Sequence, residues 1–150
     1  MSTAALETEQ TVALFERIDT LEDVAQRVDE GDRVKLQRVV REELAASPPV
    51  RPVAAARVLD LSEKTIRTWV AEGVLQRADT QSPRLLLDTN VLHAVANIVK
   101  ELRAAGQTRA LLDEVHRRLV DATWLERDDL ADSLSQMCRG DLTVRIPKSD

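Results

Sequence analysis

The stretch that most constrains the fold runs from Pro52 to Val74 and reads PVAAARVLDLSEKTIRTWVAEGV. It predicts two short helices joined by a tight turn, the first of them Ala-rich and extending from Val53 to Leu59. The turn is Asp60-Leu61-Ser62, and Asp60 falls where a left-handed residue is required, which Asp tolerates better than most non-glycine residues. Ser62 is a favourable N-cap for the second helix, and Gly73 ends that helix as a left-handed cap.

The second predicted helix, Glu63 to Ala71, has one buried and one exposed face. Ile66 and Val70 lie four residues apart, the spacing of neighbours on one side of a helix. In a helix-turn-helix, the second helix enters the major groove of DNA and the first supports it. We therefore predict contacts to phosphates and base edges from Ser62 and from the exposed face, which carries Lys64, Thr65, Arg67 and Thr68.

The segment AARVLDLSEKTIRTWVAEGVL, which begins at Ala55, resembles the opening of a MerR or excisionase-type winged domain. That family has a small residue, a turn, the pattern S-x-x-T-[IV]-R-x-W and then an exit resembling E-G-L. The sequence departs from the family at Asp60, where Gly is usual. The resemblance covers about the middle third of the chain. It implies binding to double-stranded DNA, a β-hairpin wing that touches the DNA backbone, and dimerisation through the helix after the wing.

Two short strands are predicted after Gly73, at Val74-Leu75-Gln76 and at Arg84-Leu85-Leu86-Leu87, with a polar loop between them. The resemblance makes this hairpin the wing, and it makes Arg77 and Arg84 the candidates for backbone contacts. An ordinary exposed position is an equal alternative for both arginines. Arg51, at the start of the first motif helix, is a further predicted phosphate contact.

We expect a mainly α protein in three parts: an acidic helical segment at residues 1–46, the winged helix-turn-helix at 51–87, and a helical region at 88–150. The stiff sequence Ser47-Pro48-Pro49 separates the first two parts. Within the acidic segment, a cap at Thr20 and a break at Gly31-Asp32 are predicted to divide three helices. A short strand, Leu142 to Ile146, is predicted at the end of the chain.

The longest predicted helix runs from Asp88 to Ala105 and carries a heptad-like apolar seam. The seam spans only about two and a half heptads, too short for an isolated coiled coil, so it is also expected to pack on the neighbouring helices. We predict a homodimer, for which the stripe Val12-Phe15-Ile18 and this seam are the two available surfaces. The seam is favoured because the resembled family dimerises through the helix after the wing. The N-terminal helices and the C-terminal tail are left as surfaces for a protein partner. The seam residues are Val91, Val95, Ile98 and Leu102.

The net charge of −5 would by itself weaken binding to DNA, so the distribution of charge along the chain matters. Residues 1–46 carry six basic and eleven acidic side chains, residues 47–84 six and four, and residues 85–150 nine and eleven. The only positive segment therefore contains the motif. Attraction to phosphates acts locally at physiological salt, within roughly 8 Å, so an acidic protein can still bind DNA through this segment.

Composition excludes several other classes. The lone Cys138 leaves no disulfide framework or Cys-based zinc site, and His93 has no second ligand at metal-binding spacing. We therefore predict no metal and no cofactor. No apolar run reaches membrane-spanning length and no signal pattern opens the chain, so a cytoplasmic protein without membrane contact is expected.

Three alternatives remain beside a DNA-binding transcriptional regulator. The acidic composition and the tail also resemble antitoxins, which bind their own promoter and a toxin. A protein-interaction adaptor would use the motif only as a helical hairpin. The sequence LLLDTNVL resembles the opening of PIN-domain ribonucleases, in which the Asp, here Asp88, binds magnesium. Further acidic ligands and strand patterns are missing, so we expect Asp88 to cap a helix and the protein not to be an enzyme.

Overall fold

The computed structural model describes residues 3–121 of a chain that divides into two compact units, residues 1–112 and residues 113–150. The first unit contains five helices: α1 Thr3–Ala25, α2 Glu30–Ala46, α3 Pro52–Leu59, α4 Glu63–Ala71 and α5 Thr89–Ala104. Residues 113–121, the described part of the second unit, are helical. The predicted strand Leu142 to Ile146 lies outside the described residues.

The acidic segment forms two helices instead of the three predicted. Helix α1 continues through Thr20, whose hydroxyl donates a hydrogen bond to the Glu16 carbonyl oxygen in the preceding turn, at 3.1 Å, and does not cap a new helix. The break comes before Asp29, whose side chain accepts a hydrogen bond from the Asp32 backbone N–H at 2.9 Å. Asp29 is therefore the N-cap of α2, and Gly31 and Asp32 lie in its first turn.

The first unit is organised around α1 and α3. Helix α1 packs against α2 and α3, α3 packs against α4, and α5 packs against α2 and α3. The helices before Ser47-Pro48-Pro49 and the helix-turn-helix after it therefore belong to the same unit. The side chains buried most completely in this unit are aliphatic: Ile18, Val50, Leu59, Ile66, Val74, Leu75, Leu87, Leu92, Val95 and Val99.

The predicted β-hairpin wing is wrong, although the chain is mainly helical as predicted. Residues 3–121 contain no strand, and the pairing after α4 is limited to isolated antiparallel bridges of Leu87 with Arg77 and with Val50. The first predicted strand does not form because the backbone N–H groups of Val74 and Leu75 both bond to the Trp69 carbonyl oxygen, at 3.0 and 3.2 Å. Their apolar side chains are buried in the core without a sheet.

The second predicted strand does not form either, and only its last residue, Leu87, takes part in a bridge. Leu87 donates a backbone hydrogen bond to Val50 and accepts one from it, at 2.7 and 2.9 Å. The next residue, Asp88, already caps α5 by accepting a hydrogen bond from the Val91 backbone N–H at 3.0 Å. Segment 84–87 therefore bonds at Leu87 to Val50, just before α3, and leads directly into α5 without forming a strand of a hairpin. Among the helices of residues 3–121, none is long and apolar enough to cross a membrane.

Candidate nucleic-acid interface

The turn between α3 and α4 has the predicted geometry. Asp60 adopts φ 56° and ψ 52°, the left-handed conformation, and the Leu61 backbone N–H donates to the Ala56 carbonyl oxygen at 3.0 Å. Ser62 is the N-cap of α4, and its hydroxyl oxygen accepts a hydrogen bond from the Thr65 backbone N–H at 3.1 Å. Gly73 lies just beyond α4 with φ 82°. These positions fix where α4 begins and where the chain leaves it.

Helix α4 is attached to the core through two large side chains. Ile66 is fully buried, and Trp69 is only 3% exposed. Val70, which the sequence paired with Ile66, is half-buried, so Trp69 provides most of the second contact. Because Ile66 and Trp69 are three residues apart, they lie on one face and turn the opposite face of the helix outward.

The outward face of α4 carries the predicted DNA-contacting side chains. Lys64, Arg67 and Thr68 are exposed, and neither Lys64 nor Arg67 forms an ion pair with any residue that the structure describes. The hydroxyls of Ser62 and Thr65 lie 2.8 Å apart and bond to each other at the helix start. Two basic side chains are therefore available to a ligand on this face, and the first turn of the helix is held in place by its cap.

Arg77 lies near this face. Together with Arg67 it lines a groove between the end of α4 and the chain that follows it, with Val70, Leu75 and Leu85 also in the lining. Arg77 is exposed and forms no ion pair with another described residue. The structure thus brings Arg67 and Arg77 together without a wing.

The position of Arg51 corrects the expectation from the sequence. Its Nε donates a hydrogen bond to Glu7 Oε1 of α1 at 2.6 Å, and its side chain is only 22% exposed. This hydrogen bond lowers the pKa of Glu7, partial burial of the carboxylate opposes the shift, and the charges of Arg51 and Arg84 add to the lowering. Arg51 is therefore engaged by α1, and Arg84 is close enough to interact with the same carboxylate.

Two further basic residues of the interface region were not identified from the sequence. Arg57 of α3 forms an ion pair with Glu9 of α1, and both side chains are about half exposed. Arg103 of α5 donates hydrogen bonds to the carbonyl oxygens of Leu59 and Asp60, at 2.6 and 3.1 Å. Neither contact has a local sequence signal, because the partners are more than forty residues apart.

The predicted dimer seam also requires correction. Val95 is fully buried and Leu102 is 2% exposed within the single chain, while Val91 and Ile98 are half-buried. The heptad-like spacing of these residues reflects the packing of α5 against α2 and α3. Val95 and Leu102 are core residues and are not exposed to a second copy.

No metal centre is found in the described part of the chain. Asp88, the residue that would bind magnesium in a PIN-type ribonuclease, caps α5, and no group of three or more His, Cys, Asp or Glu side chains within residues 3–121 could hold a metal ion. His93 Nε2 instead lies 2.9 Å from Glu22 Oε2, with Asn97 also in hydrogen-bonding range.

Comparison with known proteins identifies no relative: no family model, no curated protein and no solved structure matches the chain.

Proposed function

We propose that the protein is a sequence-specific transcriptional regulator that binds double-stranded DNA through α3 and α4. The observation that carries the proposal is the outward face of α4, where Lys64 and Arg67 are exposed without ion-pair partners among the described residues. The helix beneath them is fixed by buried Ile66 and Trp69 and by the left-handed turn at Asp60. This arrangement suits insertion of α4 into the major groove, with regulation by occupancy of the operator.

The interface residues have different proposed roles. Arg67, at the centre of the outward face, is placed to form a bidentate contact with a guanine base edge. Lys64 and Arg77 would contact phosphates, which fixes the register of the helix on the duplex. Ser62, Thr65 and Thr68 would add hydroxyl contacts. Arg51 is left out of this set because it forms an ion pair with Glu7 of α1, and Arg84 is left out because it does not line the groove that contains Arg67 and Arg77.

The small number of available cations favours binding as a dimer. The proposed interface has three unpaired basic side chains per protomer, Lys64, Arg67 and Arg77, which are few for a DNA-binding protein, and affinity at physiological salt comes largely from phosphate contacts. Two protomers on neighbouring half-sites would double those contacts. Once one protomer is bound, the α4 helix of the other would have a high effective concentration at its own half-site. The half-sites would then lie about 10 base pairs apart or at a multiple of that distance. This dimer does not use the α5 seam, because Val95 and Leu102 are buried.

The test is selection of binding duplexes from a random library, followed by gel-shift titration of the selected site. Arg67→Ala is expected to weaken specific binding roughly tenfold or more, because a bidentate Arg–guanine contact contributes about 1–3 kcal/mol of discrimination. Arg38→Ala is the matched control: Arg38 is exposed on α2, forms no ion pair with a described residue, and lies outside α3 and α4.

Failure of the folded protein to enrich any duplex at low salt would contradict the proposal. The helix-turn-helix would then be a packing unit, and the adaptor interpretation would replace DNA binding. Equal loss in Arg67→Ala and Arg38→Ala would also contradict it, because it would show a general charge effect without a reading helix.

A further inference from the structure

A sizeable cavity of the first unit lies away from the outward face of α4. It has a volume of 710 Å³, within the range of about 300–1,000 Å³ that is typical of small-molecule sites. Its walls come from α1, from the end of α2, from the Ser47-Pro48-Pro49-Val50 connection, from the start of α3 and from the chain at 82–86. The apolar part of the lining includes Leu14, Pro48, Pro49, Val50, Ala54 and Leu86.

The walls of this cavity are held in place without a ligand. Val50 and Leu87 exchange two backbone hydrogen bonds, and the Leu86 carbonyl oxygen accepts one from the Ala78 backbone N–H at 2.8 Å. At the rim, the Arg84 backbone N–H donates to the Ser82 hydroxyl oxygen at 3.2 Å. Preformed walls reduce the ordering that binding requires, which favours affinity for a small molecule.

Of the three arginines that line the cavity, two form ion pairs with glutamates of the lining and one does not. Arg51 pairs with Glu7 at 2.6 Å, and Arg17 pairs with Glu43 at 3.4 Å. Arg84 is exposed at the cavity, and no carboxylate of the described chain lies within ion-pair distance of its guanidinium. The lining thus contains three guanidinium groups and two carboxylates, a net charge of +1 beside an apolar surface.

We propose that this cavity is a binding site for a small amphipathic carboxylate. The apolar body of the ligand lies against Pro48, Pro49 and Leu86, which are accessible in the lining, and its carboxylate forms a bidentate contact with Arg84. The single uncompensated positive charge selects an anion over an amine of the same size. This site is independent of the proposed DNA interface, since it includes neither Lys64 nor Arg67 nor Arg77.

Calorimetric titration of the full chain with decanoate, and with decylammonium as the cation of equal chain length, tests this site. We expect decanoate to bind with a stoichiometry of one per chain. In Arg84→Gln the affinity for decanoate falls roughly tenfold, because a charge-assisted contact is lost. Arg77→Gln is the matched control on the same connecting segment, and it leaves decanoate binding unchanged because Arg77 does not line this cavity.

A second variant blocks the cavity without removing a charge. Gln10 is exposed on α1 and lines the cavity, so Gln10→Trp places a bulky ring there while the core stays intact, and decanoate binding is expected to weaken. Circular dichroism verifies that each variant is folded. The proposal is overturned if decanoate does not bind at millimolar concentration, if it binds Arg84→Gln as tightly as the unmodified protein, or if decylammonium binds equally well.

Discussion

Arg103 links α5 to the turn between α3 and α4. Its guanidinium donates to the carbonyl oxygens of Leu59 and Asp60, at the end of α3, where the helix has carbonyl groups without intrahelical partners. A cation at a helix C-terminus also interacts favourably with the helix dipole. Arg103 therefore satisfies the backbone at the turn and contributes a favourable charge there.

Arg103→Ala is expected to lower the free energy of unfolding by about 1–3 kcal/mol, since it loses two hydrogen bonds from a charged donor, one of them to the partly buried Leu59 carbonyl oxygen. Urea denaturation measures this change. Lys100→Ala on the same helix is the control, because Lys100 and its partner Asp19 are more than half exposed and such pairs contribute about 0–1 kcal/mol. Equal stability of Arg103→Ala and Lys100→Ala would contradict the role assigned to Arg103.

Glu7 gives the contact between α1 and α3 a dependence on pH. Because Arg51 lowers the pKa of Glu7 in the folded protein, the stabilisation from Glu7 is present above the ordinary Glu value of 4.5 and is lost as the pH falls below it. The stability difference between the unmodified protein and Glu7→Gln should therefore be largest at neutral pH and shrink in acid. Denaturation curves at several pH values measure the difference.

The control for this pH dependence is Glu42→Gln, since Glu42 is exposed on α2 and forms no ion pair with a described residue. The change in stability with pH is expected to be larger for Glu7→Gln than for this control, because only Glu7→Gln breaks the ion pair with Arg51. A difference for Glu7→Gln that stays constant from neutral to acid pH would show that the carboxylate is not held by Arg51.

At the scale of elements, the sequence predicted the helix-turn-helix because its signals are local. A left-handed position at Asp60, an N-cap at Ser62 and a left-handed Gly73 each depend on a few neighbouring residues, and the structure confirms all three. The prediction of a wing was wrong because strand pairing depends on residues that are distant in the sequence. Apolar runs of three or four residues occur equally in strands and in buried connections, and which one forms depends on distant partners such as Val50.

Asp60→Gly tests the turn directly. Asp60 has φ 56°, a backbone conformation that is less favourable for a residue with a Cβ than for glycine. The substitution is therefore expected to raise the free energy of unfolding by up to about 1 kcal/mol. Ala105→Gly at the end of α5 is the control, because φ is −84° there and glycine relieves no strain. Chemical denaturation of both variants compares them. A clear loss of stability in Asp60→Gly would show that the Asp60 side chain itself holds the turn.

At the scale of the whole first unit, α1 compensates much of the positive charge around the motif. Its carboxylates form ion pairs with Arg51, the residue before α3, with Arg57 of α3 and with Lys100 of α5. The sequence showed an acidic segment beside a basic one, but it could not show that they are in contact. Because these ion pairs occupy other basic side chains near the motif, the proposed contact with DNA depends on a small set of cations, chiefly Lys64, Arg67 and Arg77.

The salt dependence of DNA binding should reflect this small set. With two phosphate-contacting side chains per protomer, Lys64 and Arg77, the slope of log affinity against log salt is expected to be about −2 for one protomer and about −4 for a pair. Arg77→Ala should make the slope shallower by about 1 per protomer. Fluorescence anisotropy over a range of salt concentrations gives the slope, and a value near −10 would require a far larger basic surface than the one assigned here.

The central claim is that α4 reads base edges in the major groove, and a base-by-base scan of the selected operator tests it most directly. Affinities of the unmodified protein and of Arg67→Ala would be measured for every single base-pair substitution. We expect Arg67→Ala to lose discrimination at one G·C pair of each half-site and to keep it elsewhere, because a bidentate contact reads one base. An unchanged pattern of discrimination, with affinity lowered equally at every position, would contradict the claim and leave Arg67 as a phosphate contact.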